Sequence, residues 1–196
     1  QEIIRPALQI FHTAPPVKHV CGVYLMIVKD RVYVFSDTTV NIEPDAETLA
    51  EIAILSADFA KSLEIDPRVA MLSFSNFGDT RHPSSDKVAR AVDIIRKSRP
   101  DIAVDGEMQA DTAVVADIIE QRYPFSAIKD ANVLVFPDLN SANISYKLLT
   151  RLTNAEAIGP VLLGLGAPVH VLQMGAEVDD IVAMTAVAVM DTQRRG

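Results

Sequence analysis

The sequence predicts an α/β fold: a three-layer arrangement with a mostly parallel sheet, helices on both faces and an antiparallel hairpin at one edge. Three observations carry this. From Val69 onward, short apolar runs alternate with segments of helical period, the pattern of strands joined by right-handed crossovers. Upstream, residues 20–28 and 31–36 are apolar runs separated only by Lys29-Asp30, which reads as a tight hairpin. Near the end, residues 168–189 pass from an apolar run through Gly175 into an acid-led helix. Strand, glycine turn and helix N-terminus form the α/β arrangement that places ligands at a strand's C-terminal end.

The elements follow in order. Residues 3–12 read as a helix, with Pro6 tolerated only in its first turn. After the hairpin, Pro44-Asp45-Ala46-Glu47 opens a helix to about Leu63, with Leu49, Ile52, Phe59 and Leu63 at helical spacing. Residues 69–74 form a buried strand of the parallel kind. Helix 86–97, strand 102–104, helix 110–121 and strand 133–136 come next. Ser141 or Asn140 can cap a helix to Leu152. Residues 155–158 read as one more strand, closed by Gly159-Pro160. Val169 and Val171 mark a short buried strand, and the last helix carries Val178, Ile181, Val182 and Val189 on one face. Met184 and Val187 add a second apolar face, so cover on both sides is expected.

Composition excludes several classes. With 196 residues the chain can fill one domain, or one domain and part of another. A net charge of −8 disfavours a nucleic-acid backbone as partner. No apolar run approaches a membrane span. One cysteine, Cys21, excludes an internal disulfide and fits a reducing compartment; with no leader-like start, a cytoplasmic location is expected.

Polar residues at strand ends are the first candidates for chemistry. Ser75-Asn76-Phe77-Gly78, followed by Arg81, His82, Lys87 and Arg90, could hold a phosphate or could be a polar loop and a solvated helix face. Asp105 and Glu107 could bind a metal or act as acid and base, but no further acid or histidine stands at ligand spacing. Tyr146 and Lys147 lie on a helix opened by the run 138–143, where Lys147 could equally be a salt-bridge partner. The four histidines show no zinc-type pairing. Cys21 sits in the apolar hairpin and reads as a small core residue. There is no GxSxG, Walker-type loop or GxGxxG; Gly164-Leu165-Gly166 is a weak signal.

Five stretches resemble the phosphotransacetylase family in order and spacing: MLSFSNFG (71–78), DGEMQADTAV (105–114), NVLVFPDLNSANISYKLLTRL (132–152), AEAIGPVLLGL (155–165) and DDIVAMTAVAV (179–189). The resemblance implies a phosphotransacetylase/isocitrate-dehydrogenase-like fold and acetyl transfer between phosphate and coenzyme A. It also implies that the chain is the C-terminal portion of a family domain, with about 15–162 in one lobe and 1–14 and 163–196 in the remnant of a second. Within the family, DGEM, YPFS (123–126), the compact turn at Lys29-Asp30 and PVHVLQMGAEVDDIV look most like the C-terminal domain of hybrid NADP-dependent malic enzymes.

By that resemblance, Asp180 matches the family's helix aspartate and Arg5 a substrate-binding arginine, while the family's Ser-Arg pair is replaced by Gln173 and Met174. Methionine offers neither charge nor donor to a phosphoryl group. The expectation is therefore a non-catalytic domain that binds acetyl-CoA or CoA as effector through Arg5, Ser75, Asn76, Gln173, Met174 and Asp180. It would dimerise through this domain, with the hairpin as part of the interface, and assemble further in the full chain. It would serve a malic-enzyme domain that uses NADP and Mg or Mn to turn malate into pyruvate, with no cofactor in this portion. The alternatives are an active phosphate acetyltransferase with another phosphate clamp, such as Arg5 with Arg81, and a ligand-free oligomerisation module.

Overall fold

A computed structural model describes residues 4–172 and 175–195. The helices are α1 (Ile4–Phe11), α2 (Ala46–Ser62), α3 (Pro83–Ser98), α4 (Ala110–Val114), α5 (Ala116–Arg122), α6 (Leu139–Leu152) and α7 (Val178–Arg195). The strands are β1 (Cys21–Val28), β2 (Arg31–Ser36), β3 (Arg68–Leu72), β4 (Ala103–Met108), β5 (Val133–Val135) and β6 (Glu156–Leu163). They form one six-stranded sheet in the order β4-β3-β5-β2-β1-β6. The β4–β3, β3–β5 and β5–β2 pairs are parallel, and β2–β1 and β1–β6 are antiparallel.

Alternation along each strand builds the three layers. Val69 and Met71, Val133 and Val135, and Val23 and Leu25 face one core with α2, α3 and α7. Ala70 and Leu72, Leu134 and Phe136, and Tyr24 and Met26 face the other with α4, α5 and α6. The chain changes face after β4, when β5 inserts between β3 and β2. Helix α2 lies close on the sheet because Ala53, Ala57 and Ala60, fully buried, alternate with Leu49 and Ile52. Each of those two larger side chains contributes about 1.5–3 kcal/mol by leaving water. Asp45 caps α2, its carboxylate accepting the Thr48 N–H at 2.8 Å. A smaller cluster of Val20, Leu162 and Leu165 is covered by Leu8 of α1 and by Val40, Val169 and Val171.

Several expectations are corrected. The hairpin lies at the antiparallel end of the sheet, but β6 covers β1, so neither hairpin strand is an edge open to a partner. Strand β6 continues through Gly159-Pro160 because Gly159, at φ 154°, lets the backbone approach Tyr24; a Cβ there would lie 2.7 Å from the ring. Helix 110–121 is broken at Val115, whose extended backbone separates α4 from α5. Helix α3 starts at Pro83, capped by the His82 imidazole, and α6 is capped by Asp138, which accepts the Ser141 N–H at 2.8 Å. The expected strand at 169–171 reduces to a single bridge between Val161 and His170. Helix α7 is covered on one side only: Met184 and Val187 are buried, whereas Val178 and Val182 are 72% and 62% exposed.

Candidate functional site

The cavity that α7 helps to enclose has a volume of about 630 Å³, within the range that small-molecule sites occupy. Its walls come from β1, β6, the second half of α6 and the start of α7. Tyr24 reaches it because even positions of β1 point to the α6 side, where Tyr146 stacks on it at 4.4 Å between ring centroids. The two rings make a flat, rigid wall. The Lys147 ammonium lies 5.1 Å from the Tyr146 ring centroid, and Arg151 follows one turn later on the same side of α6. Glu177 and Asp180, at the α7 N-terminus, line the same cavity. The Asp180 carboxylate accepts the Glu177 N–H at 3.0 Å, which fixes it over the first turn. Two cations, a buried aromatic stack and an oriented carboxylate thus share one opening. Such a set can hold an anionic ligand and take up a proton from it.

Of the residues expected at a site, Asp180 lines this cavity. Gln173 and Met174 lie outside the described residues, as does the side chain of Arg5. Ser75 and Asn76 are buried elsewhere and committed to the frame. The Ser75 hydroxyl donates to Glu107 at 3.0 Å and accepts from the Thr80 N–H, and Asn76 accepts the Gln109 N–H at 2.8 Å. They hold the loop after β3 and are not among the cavity walls.

The other strand-end candidates are also structural. Glu107 accepts the Gly78 N–H at 2.6 Å as well as Ser75. Asp105 accepts from Arg96, Ser126, the Ala127 N–H and the Gly106 N–H. Among the described residues no group of three or more histidine, cysteine or acidic side chains could hold a metal ion. The cations after β3 disperse: Lys87 donates to the Pro137 carbonyl, Arg90 pairs with Glu47, and Arg81 lines a different cavity. Burial first, and then the Asp37 charge, push the Cys21 thiol well above its ordinary value, so it is no nucleophile. Tyr24 and Arg151 were not singled out by the sequence. The Lys147/Arg151 spacing was a readable signal; Tyr24, one aromatic in an apolar strand, gave none.

No helix among the described residues is long and apolar enough to cross a membrane. The family model described as phosphate acetyl/butaryl transferase matches residues 1–189. A phosphate acetyltransferase of Bacillus subtilis is 48% identical over 181 residues, which are 92% of this chain and 56% of that protein. A phosphotransacetylase from Streptococcus pyogenes superposes with a TM-score of 0.92 at 43% identity, over 97% of this chain and 59% of that one. The EutD phosphotransacetylase from Staphylococcus aureus gives 0.88 at 40% identity, over 95% and 59%. The chain therefore spans somewhat over half the length of these relatives. Both solved structures bear out the three-layer α/β fold with its mixed, mostly parallel sheet. The expected regulatory domain of an NADP-dependent malic enzyme is overturned, and its oxidoreductase assignment with it, because identity of this degree over nearly the whole chain is to phosphate acetyltransferases. Matched along nearly all of its length, the chain belongs to the phosphate acetyl/butaryl transferase family.

Proposed function

We propose that this chain carries acyl-transfer chemistry of the phosphate acetyltransferase kind, moving an acetyl group between coenzyme A and phosphate. The observation that carries the reading is the cavity that Lys147 and Arg151 of α6 line together with Asp180 of α7 and the Tyr24–Tyr146 stack. Coenzyme A is polyanionic, and two cations one helical turn apart suit its phosphates. The Tyr24–Tyr146 stack, at 3% and 8% exposure, is a firm backing beneath that cation pair.

The thiol sulfur attacks the carbonyl carbon of acetyl phosphate, a C–S bond forms, and the C–O bond to phosphate breaks, with phosphate leaving with the electron pair. The thiol proton passes to the Asp180 carboxylate. Gln173 and Met174 occupy the positions at which the resemblance implies a Ser-Arg pair, so the departing phosphate lacks a guanidinium fork there. Loss of one such donor lowers turnover about 10²–10³-fold.

The test is acetyl-CoA formation from acetyl phosphate and CoA by the purified protein, followed at the thioester absorbance. Slow turnover that falls further in Asp180→Asn, with CoA binding weakened in Lys147→Ala/Arg151→Ala, is expected. CoA binding unchanged in the double variant would overturn the placement of the site. Full CoA binding with no turnover above the uncatalysed rate would overturn the activity.

A further inference from the structure

At the β4 side of the sheet lies a second cavity of about 380 Å³, several strands away from the one enclosed by α7. Two buried carboxylates, with no role in the chemistry above, each pin one of its walls. Asp105 gathers Arg96, Ser126 and the Ala127 N–H, which holds the loop that carries Phe125. Glu107 gathers Ser75 and the Gly78 N–H, which holds the loop that carries Phe77. Between them Gly106, at φ 137°, floors the cavity; a Cβ there would lie 2.6 Å from the Met71 carbonyl oxygen.

The outcome is an aromatic side chain held in water. Phe125 is 69% exposed, yet its ring is fixed edge-on to Phe77 at 5.1 Å between centroids. Opposite stands α3, whose Asp86, Asp93 and Arg96 fall on one helical face, with Arg81 just before the helix. The Arg96 guanidinium spends donors on Asp105 and the Val104 carbonyl and has others left; its side chain is 47% exposed. Rigid walls mean that little ordering is required on binding.

From this geometry we infer a second small-molecule site, for a planar aromatic ligand bearing hydroxyls and an anionic group, the chemistry of a nucleoside monophosphate. The base packs on Phe125 and Phe77, sugar hydroxyls donate to Asp86 or Asp93, and the phosphate takes Arg81 or the free edge of Arg96. The site is independent of the acyl-transfer cavity.

The probe is AMP, titrated calorimetrically into the wild-type protein, with adenosine and inorganic phosphate in separate arms. Because AMP is also a fragment of coenzyme A, the titration is repeated in Lys147→Ala/Arg151→Ala. AMP binding that survives in that double variant and weakens at least about 10-fold in Arg81→Ala and in Phe125→Ala is expected. Circular dichroism confirms that the variants fold, and both substituted side chains are exposed. Adenosine and phosphate should each bind more weakly than AMP. Binding abolished by Lys147→Ala/Arg151→Ala, or indifferent to Arg81→Ala and Phe125→Ala, overturns the inference, as does no heat at about 10 mM AMP.

Discussion

The Ser75 hydroxyl donates to the buried Glu107 carboxylate at 3.0 Å and so joins the loop after β3 to the end of β4. Two residues that look like a ligand group and an acid in the sequence satisfy one another. A buried carboxylate needs several donors, and Glu107 draws them from a neighbouring strand end.

Ser75→Ala should therefore act on stability. It removes one of the donors to a buried carboxylate and leaves the Thr80 N–H without its acceptor. A loss of about 1–3 kcal/mol is expected, read from the urea midpoint at unchanged slope. The CoA affinity of the folded variant should match wild type, because Ser75 is not in the wall of the α7 cavity.

Asp45 gives a pH signature. Its side-chain and backbone hydrogen bonds with Thr48 hold its carboxyl below the usual range in the folded state. A depressed folded pKa means that this contribution is present above the unfolded value, about 3.9, and lost as pH falls through the folded one. Asp45→Asn keeps a cap without the titration, so its urea midpoint should fall less than that of wild type across this acidic window. Asp45→Ala should cost about 1 kcal/mol near neutral pH.

Cys21 should be silent to thiol reagents in the native protein. It is fully buried, and burial, followed by the Asp37 charge, raises its pKa well above the ordinary thiol value. Labelling with a disulfide reagent should stay slow as pH is raised through the ordinary thiol range, about 8–9, and become fast only in denaturant. Rapid native labelling would mean that the β1 face opens.

The layers were legible because short continuous apolar runs alternate with period-3.6 segments from Val69 onward, and local patterns of that strength survive tertiary context. What was not legible depends on distant partners. That β6 pairs with β1 and continues through Gly159-Pro160 follows from a missing Cβ against Tyr24, which no local pattern reveals. The same holds at the site. Asp180 was marked through the family resemblance, whereas Tyr24 enters the cavity because β1 turns it towards the α6 side, where Tyr146, more than a hundred residues later, stacks on it. Ser75 and Asn76 misled for the complementary reason: polar residues at a strand end resemble a ligand set until their partners, the buried Glu107 carboxylate and the Gln109 N–H, are seen.

The loop before α7 offers the sharpest functional prediction. The resemblance implies a Ser-Arg pair where Gln173 and Met174 stand, and the relatives are phosphate acetyltransferases. If Asp180 and the Lys147/Arg151 pair already hold CoA, returning the guanidinium should act mainly on the step in which phosphate carries new charge. An interaction made only in the transition state raises kcat, whereas one made equally in the ground state lowers KM alone. Gln173→Ser/Met174→Arg is thus expected to raise kcat about 10²–10³-fold with little change in CoA affinity. Steady-state acetyl transfer beside CoA calorimetry separates the cases. A gain confined to KM would mean that the arginine only binds acetyl phosphate. No gain in either would mean that the phosphate lies elsewhere than over the α7 N-terminus, and that Asp180 is a helix cap alone.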